Sequence, residues 1–201
     1  MNAFYNLTGV GDVLMVQLVP DTPAEIMSET IGDVTLIRDT ASGDVAGFNL
    51  FRASEYVQLQ GEGKIEADEA FLDQLKEAFT KNGTEFNFDV DLSPKFVVGH
   101  VLSKEKHPNA DKLSVCKVDV SEETLQIVCG APNVGEGQHV VVAKPGAVMP
   151  SGMVIKDAEL RGVPSSGMIC SAKELALPDA PQEKGILILN GDQTPGEPFR
   201  F

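Results

Sequence analysis

The sequence predicts an α+β amino-terminal domain followed by an all-β domain, and three observations support that prediction. Residues 1–92 combine short strand patterns with one long amphipathic helix pattern. Residues 93–201 carry mainly strand patterns, separated by clusters of Gly, Pro and Asn. The net charge also changes, from −12 in residues 1–92 to −2 in residues 93–201. We therefore expect a domain boundary near Leu92, in the connection DVDLSPK, which contains Ser-Pro and no apolar periodicity.

The first domain is predicted to hold three or more strands and one helix. VLMVQLV at 13–19 has strand character, and VTLIRD and VAGFNLF flank the Gly-containing TASGD, which is typical of a hairpin. In EADEAFLDQLKEAFTKNG, acidic residues precede the helix pattern, lysines lie towards its end, and Gly83 follows as a stop. The apolar stripe at helical spacing is Ala70, Phe71, Leu72, Leu75, Ala78 and Phe79.

The second domain is predicted to be a closed or nearly closed barrel. Five or six short strand patterns lie within about 100 residues, a spacing typical of all-β barrels. They are FVVGHVL, LSVCKVDV, LQIVCGA, HVVVAKPGAVMP, VIKDAELRG and GILIL. A short helical stretch, SAKELAL, is expected before the last of them.

Composition excludes several classes of protein. No segment approaches the roughly 18 consecutive apolar residues of a membrane span, and Met1–Gly11 lacks a secretory pattern, so we expect a cytoplasmic protein. The three cysteines are an odd number without a CxxC, and the three histidines lack metal-ligand spacing. Buried reduced thiols are therefore expected, with no metal and no cofactor.

The segment HPNADKLSVCKVDV, residues 107–120, is unusual because it concentrates cations within an acidic chain. Pro108 restricts the backbone, and Asn109 and Asp111 can accept hydrogen bonds from nearby amides, so a rigid loop should hold Lys112 at its end. Two interpretations remain open. The segment is either a well-capped turn with solvated lysines, or a loop that presents cations and the His107 imidazole to phosphates and a base. Lys104 and Lys106 precede it.

Two further motifs limit the possible chemistry. CGAPNVGEGQ, at 129–138, lacks the Gly-Lys-Ser/Thr of a phosphate-binding loop. LRGVPSSGMICSAKEL, at 160–175, contains no G-x-S-x-G elbow, so serine catalysis is not expected. Its Arg161, Ser165, Met168 and Ser171 offer groups that contact phosphates, sugar hydroxyls and base faces, while loop packing is the alternative.

Four segments in this order resemble the tRNA-binding domain family: HPNADKLSVCKVDV, QIVCGAPNV, VVVAKPGAVMPSG and ELRGVPSSGMICSAKEL. The resemblance covers roughly residues 93–200. The same domain lies at the amino terminus of the bacterial phenylalanyl-tRNA synthetase β subunit. An acidic α+β segment before such a domain is similar to the stand-alone, YtpR-type members. The resemblance implies an OB-fold, a five-stranded Greek-key barrel, that binds structured tRNA without reading its sequence.

The resemblance also implies which residues contact tRNA. Gly162 and Gly167 would be needed for the shape of the backbone, and Cys129 and Cys170 would be packing positions. Pro164 and Ser166 depart from the family pattern. Together with the cations near the first motif, the expected tRNA-binding residues are Lys104, Lys106, His107, Asn109, Lys112, Arg161, Ser165, Met168 and Ser171.

The leading hypothesis is therefore a non-catalytic bacterial protein that binds tRNA largely by shape through the barrel loops. The alternative is a protein-docking module whose acidic residues 1–92 engage a basic protein partner, because a fold does not determine a function. Aminoacylation is not expected, because no ATP-binding motif is present. A homodimer is also expected, with the ends of GILIL and HVVVA as candidate contacts.

Overall fold

The computed structural model describes residues 1–201, and the chain forms two compact units. Unit 1 comprises Met1–Ser93 and unit 2 comprises Pro94–Phe201, so the division falls next to the boundary expected near Leu92. Both units are mostly β, and the molecule contains one α-helix. That helix is too short and too polar to be a transmembrane segment.

Unit 1 is a six-stranded antiparallel sheet that packs against a helix. Its elements are β1 (Asn2–Tyr5), β2 (Val13–Gln17), β3 (Ile26–Ile31), β4 (Val34–Asp39), β5 (Val45–Phe51), β6 (Gly63–Ile65) and α1 (Glu69–Lys81), with a 3₁₀ turn at Ala53–Glu55. The strand order is β3-β4-β5-β2-β1-β6, which leaves β3 and β6 at the two edges. The predicted hairpin strands β4 and β5 are confirmed with their bounds, whereas β1, β3 and β6 were not predicted.

Helix α1 confirms the predicted helix and its stop at Gly83, and the structure adds an amino-terminal cap at Asp68. The Asp68 carboxylate accepts a hydrogen bond from the Phe71 amide at 2.8 Å, which caps the first turn, and Gly83 follows the last turn with a φ of 76°. Phe79 is buried and makes an edge contact with Phe48, with ring centroids 4.9 Å apart. Ala70, predicted to lie in the apolar stripe, is exposed.

Unit 2 contains eight strands. They are β7 (Phe96–Lys106), β8 (Ser114–Asp119), β9 (Thr124–Cys129), β10 (His139–Ala143), β11 (Asp157–Leu160), β12 (Val163–Ser166), β13 (Met168–Ile169) and β14 (Ile188–Leu189). Five of them form a sheet in the order β13-β10-β7-β8-β9, β14 pairs with β10, and β11 and β12 form a separate hairpin.

The sheet of unit 2 is nearly closed into a barrel. Side-chain bonds attach β12 to the free edge of β9: Gln126 Nε2 donates to the Pro164 carbonyl at 2.7 Å, and the Val128 amide donates to Ser165 Oγ at 3.0 Å. Gly167 then carries the chain from β12 to β13 with a φ of 95°. A Cβ there would lie 2.8 Å from the Ala143 carbonyl oxygen, so the closure requires glycine.

Unit 2 has two apolar clusters, on opposite faces of its sheet. Val97, Val118 and Val142 belong to the inner cluster, while Phe96, Val141 and Cys170 belong to the outer one with residues of the carboxy-terminal segments. The predicted helix in SAKELAL is wrong. These residues form hydrogen-bonded turns, because Ala176 adopts a left-handed φ of 52° and Pro178 follows.

Candidate nucleic-acid interface

The loop between β7 and β8 is rigid because its ends and its tip are hydrogen-bonded. The His107 amide donates to the Leu113 carbonyl at 3.1 Å, and the Leu113 amide donates to the Ala110 carbonyl at 3.1 Å. The Asn109 amide donates to the His107 Nδ1 atom at 3.0 Å. The loop therefore presents Lys112, which is exposed, from a defined backbone.

His107 is a buried structural residue of this loop. Its Nε2 atom lies 2.9 Å from the Leu160 carbonyl oxygen at the end of β11. Because Nδ1 accepts the Asn109 amide, Nε2 is the ring nitrogen that donates to the Leu160 carbonyl. Only 5% of the residue is exposed, so the expected role in stacking on a base is not available to this ring. The structure instead gives His107 the role of joining two loops.

The second loop is the tight turn of the β11–β12 hairpin. Arg161 and Gly162 have φ values of 49° and 85°, as both central residues of a type I′ turn require. Asn109 Nδ2 donates to the Arg161 carbonyl at 3.1 Å, which adds a second bond between the two loops. Together with the His107 bond, this contact forms what we call the loop clamp. It fixes the backbone that carries the exposed Arg161 side chain.

Three exposed cations, Lys106 at the end of β7 and Lys112 and Arg161 on the clamped loops, are called here the cationic rim. None of the three makes a salt bridge, so their charges are available to an external anion. Acidic residues occur in the same segments, at Asp111 and Glu159. The rim is therefore only modestly positive.

Lys104 differs from the rim residues because its ammonium group is engaged. Its Nζ atom donates to the Val134 carbonyl at 2.7 Å. The side chain thus ties the end of β7 to the loop before β10. Its charge remains close to solvent, since the residue is exposed.

The three remaining predicted residues lie further along the chain. Ser165 is 4% exposed and its hydroxyl accepts the Val128 amide, so that hydroxyl holds the barrel together and does not face a ligand. Ser171 Oγ accepts the Glu174 amide at 3.1 Å, and Glu174 Oε2 accepts the Ser171 amide at 2.7 Å, as in a capping box. Met168 is half-buried and packs against the outer apolar cluster.

Sequence reasoning missed the residues that position these loops. Gln126 and Val128 secure the hairpin strand β12, although they lie 38 and 37 residues from their partners. A pairing so distant in sequence has no local pattern. Lys117, which the expected site omitted, is exposed on β8 directly opposite Gln126 in the ladder.

The three cysteines are buried thiols. Burial raises the pKa of Cys116 to about 11 and that of Cys170 to about 12, and it also raises the pKa of Cys129. All three are therefore neutral near pH 7. No group of three or more His, Cys, Asp or Glu side chains is placed to hold a metal ion.

Comparison with known proteins identifies the family. The model of the family described as "Putative tRNA binding domain" matches residues 96–198, which comprise the barrel and its carboxy-terminal segments. The chain therefore belongs to the tRNA-binding domain family. A second family model, described as a domain of unknown function, matches residues 21–91.

The relatives cover different lengths of the chain. "Putative tRNA-binding protein YtpR" of Bacillus subtilis is 62% identical over 201 residues, which is 100% of both chains. The phenylalanine–tRNA ligase beta subunit of Oleidesulfovibrio alaskensis is 59% identical over 106 residues, 53% of this chain and 13% of the subunit. A solved carboxy-terminal domain of Plasmodium vivax p43 is 24% identical, with a TM-score of 0.39 over 53% of this chain and 59% of that one.

Proposed function

We propose that the protein is a non-catalytic tRNA-binding protein whose cationic rim contacts the phosphate backbone. The loop clamp is the observation that carries this proposal. It joins the two sequence motifs through the His107–Leu160 bond, between residues 53 positions apart, and through the Asn109–Arg161 bond, and so holds together the backbones of the loops that carry Lys112 and Arg161. The Bacillus subtilis relative, matched over its full length, is named for tRNA binding. We further infer that the nearly closed barrel of unit 2 is an OB-fold.

In this proposal the predicted residues have different roles in binding. Lys106, Lys112 and Arg161 neutralise phosphates, with Lys104 at the margin of the surface. His107, Asn109 and Ser165 position the loops and need not touch RNA. Met168 is half-buried and the Ser171 hydroxyl caps a turn, so neither is assigned a phosphate contact.

Binding is expected to be weak, salt-dependent and based on shape. Three or four phosphate contacts predict a loss of affinity on the order of 10²-fold between 50 and 300 mM salt, because each contact releases a condensed counterion. Structured RNA also offers its backbone and 2′-hydroxyls more readily than its base edges. A titration of labelled tRNA at several salt concentrations measures this slope, and an affinity that ignores salt contradicts the proposal.

The direct test replaces Lys112 and Arg161 together by alanine. We expect tRNA affinity to fall by at least about tenfold at low salt, because two phosphate contacts are lost. The matched control is Lys76→Ala with Lys81→Ala, which changes the net charge equally on helix α1 of unit 1. If the rim variant folds and binds tRNA like the wild type, or if the control loses as much affinity, the rim is not the interface.

A second candidate function is protein docking by unit 1, and the charge distribution favours it. Residues 1–92 hold 17 acidic and 5 basic side chains, a field that attracts cationic proteins and repels nucleic acid. Capture of partners from lysate with and without ribonuclease separates docking from RNA-mediated association. The expected homodimer and cytoplasmic location remain predictions; analytical ultracentrifugation and cell fractionation test them.

A further inference from the structure

Strand β3 at the edge of the unit 1 sheet is unusually exposed. Five of its six residues are exposed, and its pattern shows no buried face. Ile26 and Met27 are apolar and remain 56% and 54% exposed. A strand that buries so little contributes few contacts to its own core, and its exposure is consistent with a binding role.

The backbone of β3 offers a row of unused hydrogen-bonding groups. Its only strand partner is β4, reached through the two-residue turn Gly32–Asp33. In an antiparallel pair, alternate residues direct their N–H and C=O groups towards the partner. The Thr40 amide donates to the Glu25 carbonyl at 3.1 Å, so the backbone groups of Glu25 face the β4 side. Every second residue after Glu25 does the same. The residues whose backbone groups point to the open side are therefore Ile26, Ser28 and Thr30.

The two edges of this sheet are protected differently. Edge strands usually avoid pairing with other chains by being short or by carrying lysine or proline. At the opposite edge, β6 has three residues and Lys64 at its centre. Strand β3 has six residues with neither lysine nor proline. The open edge is thus confined to one side of unit 1.

The charge around β3 indicates the partner. Residues 21–45 contain six acidic side chains and a single basic one, Arg38, which forms an ion pair with Glu29 at 3.8 Å. Arg52, from outside this range, pairs with Asp33, so the local charge stays negative after both ion pairs are counted. A second copy of this edge would bring the same negative charge to the interface. A cationic chain would find a complementary field.

We propose that the open edge of β3 is a docking site for an extended, lysine- or arginine-bearing segment of another protein. The segment adds a seventh strand to the unit 1 sheet. Backbone hydrogen bonds to Ile26, Ser28 and Thr30 hold the segment, and the surrounding carboxylates select its charge. This inference rests on the docking function proposed above and is independent of tRNA binding by unit 2.

The test uses a substitution that removes one outward donor. Ser28→Pro deletes an N–H that β4 does not use, and its ring obstructs the approach of an added strand. Ser28→Ala is the matched control, because it keeps the N–H. A labelled peptide of about ten residues that alternates Lys with Val or Thr is the probe, and a twin with Glu for Lys reports charge selection.

The full-length protein should bind the Lys peptide and bind the Glu peptide at least about tenfold more weakly, by fluorescence anisotropy. Ser28→Pro should weaken Lys-peptide binding at least about tenfold, while Ser28→Ala should stay within about twofold. Both should bind tRNA like the wild type. If circular dichroism shows that Ser28→Pro is unfolded, Ser28→Lys and Ser28→Glu replace it. Ser28→Lys should weaken binding of the Lys peptide, and Ser28→Glu should strengthen it.

Each contrary outcome identifies what failed. If the wild type binds the Lys peptide and Ser28→Pro binds it equally, docking occurs elsewhere on unit 1 and the edge proposal is overturned. If the wild type binds no Lys peptide, both the edge proposal and the docking function are overturned. If Ser28→Pro converts a wild-type dimer to a monomer in sedimentation, a second copy occupies the edge and the cationic partner is overturned.

Discussion

Unit 1 leaves its sheet open and covers it with a helix, whereas unit 2 bends its sheet until the two ends nearly meet. Both are mostly β, yet the open sheet has a strand edge available and the nearly closed one has loops. Unit 1 also carries most of the net negative charge. The two proposals follow this difference: we propose a protein partner at the strand edge of unit 1 and RNA at the rim of loops of unit 2.

The two cores differ as well. In unit 1, the rings of Phe48, Phe79, Phe86 and Phe88 contact one another. In unit 2, β-branched side chains fill the barrel, and Gly99 is needed where Val118 and Val142 meet, because a Cβ would lie within 2.7 Å of both. The aromatic core is sensitive to the loss of a ring, whereas the barrel is sensitive to a side chain added at a tightly packed glycine.

The largest expected effect is a loss of stability in unit 1 alone. Phe79→Ala should lower its free energy of unfolding by about 3–5 kcal/mol, because it removes a buried ring and leaves a cavity. Hydrogen exchange should report the loss in residues 1–93, with unit 2 protected as in the wild type. Equal loss of protection in both units would show that the two cores are not independent.

The next effect is a loss of stability in unit 2, at the glycine that closes its barrel. Gly167→Ala places a Cβ against the Ala143 carbonyl at a positive φ, and it should lower stability by about 1–3 kcal/mol. Gly137→Ala is the control, because that glycine also has a positive φ, 81°, but open space around it. Urea unfolding should rank the variant below its control; equal stability would mean that the close contact at 167 is unimportant.

A smaller effect sharpens the role of the loop clamp. His107→Ala should weaken tRNA binding by about tenfold if the ring acts through the Arg161 loop. In an Arg161→Ala background the same change should then add little, which a double-mutant cycle measures. His107→Gln, which retains a donor for the Leu160 carbonyl, should recover part of the affinity. Fully additive losses would instead show that the His107 ring does not act through the Arg161 loop.

A several-fold effect tests how the two units influence each other through charge. Residues 93–201 alone should bind tRNA more tightly than the full chain at low salt, because the net −12 of residues 1–92 repels a polyanion. The gap should close at high salt as the charges are screened. A gap that persists at high salt would point to a cause other than electrostatics.

The smallest effect is a pH dependence confined to unit 1. Hydrogen bonds from Arg52 and then Tyr56 lower the pKa of Asp33 below its usual value of 3.8. The carboxylate therefore stabilises the fold above that pH, and the contribution is lost as the pH falls below about 4. Asp33→Asn should reduce stability at pH 7 and reduce the further loss at pH 3, in urea titrations. Asp44→Asn, an exposed control, should change neither.

Local patterns predicted much of unit 1. Helix α1 and its Gly83 stop followed from spacing and end chemistry, and β4 and β5 followed from strand patterns around a glycine-containing loop. Strand β3 was not predicted, because it buries no face and its sequence therefore shows no alternation of apolar and polar residues. The turns in SAKELAL were not predicted, because the left-handed conformation of Ala176 depends on tertiary structure and no residue propensity indicates it.

The sequence by itself determined the family, the change in charge, the rigid His107–Lys112 loop and the residue types of the cationic rim. These features depend on residues close together in the chain or on motifs with fixed spacing. Only the tertiary structure decided that His107 and Ser165 are buried positioning residues, that the two loops are clamped, and that β3 has an open edge. Burial and long-range hydrogen bonds arise from contacts between distant segments, and such contacts exist only once the chain has folded.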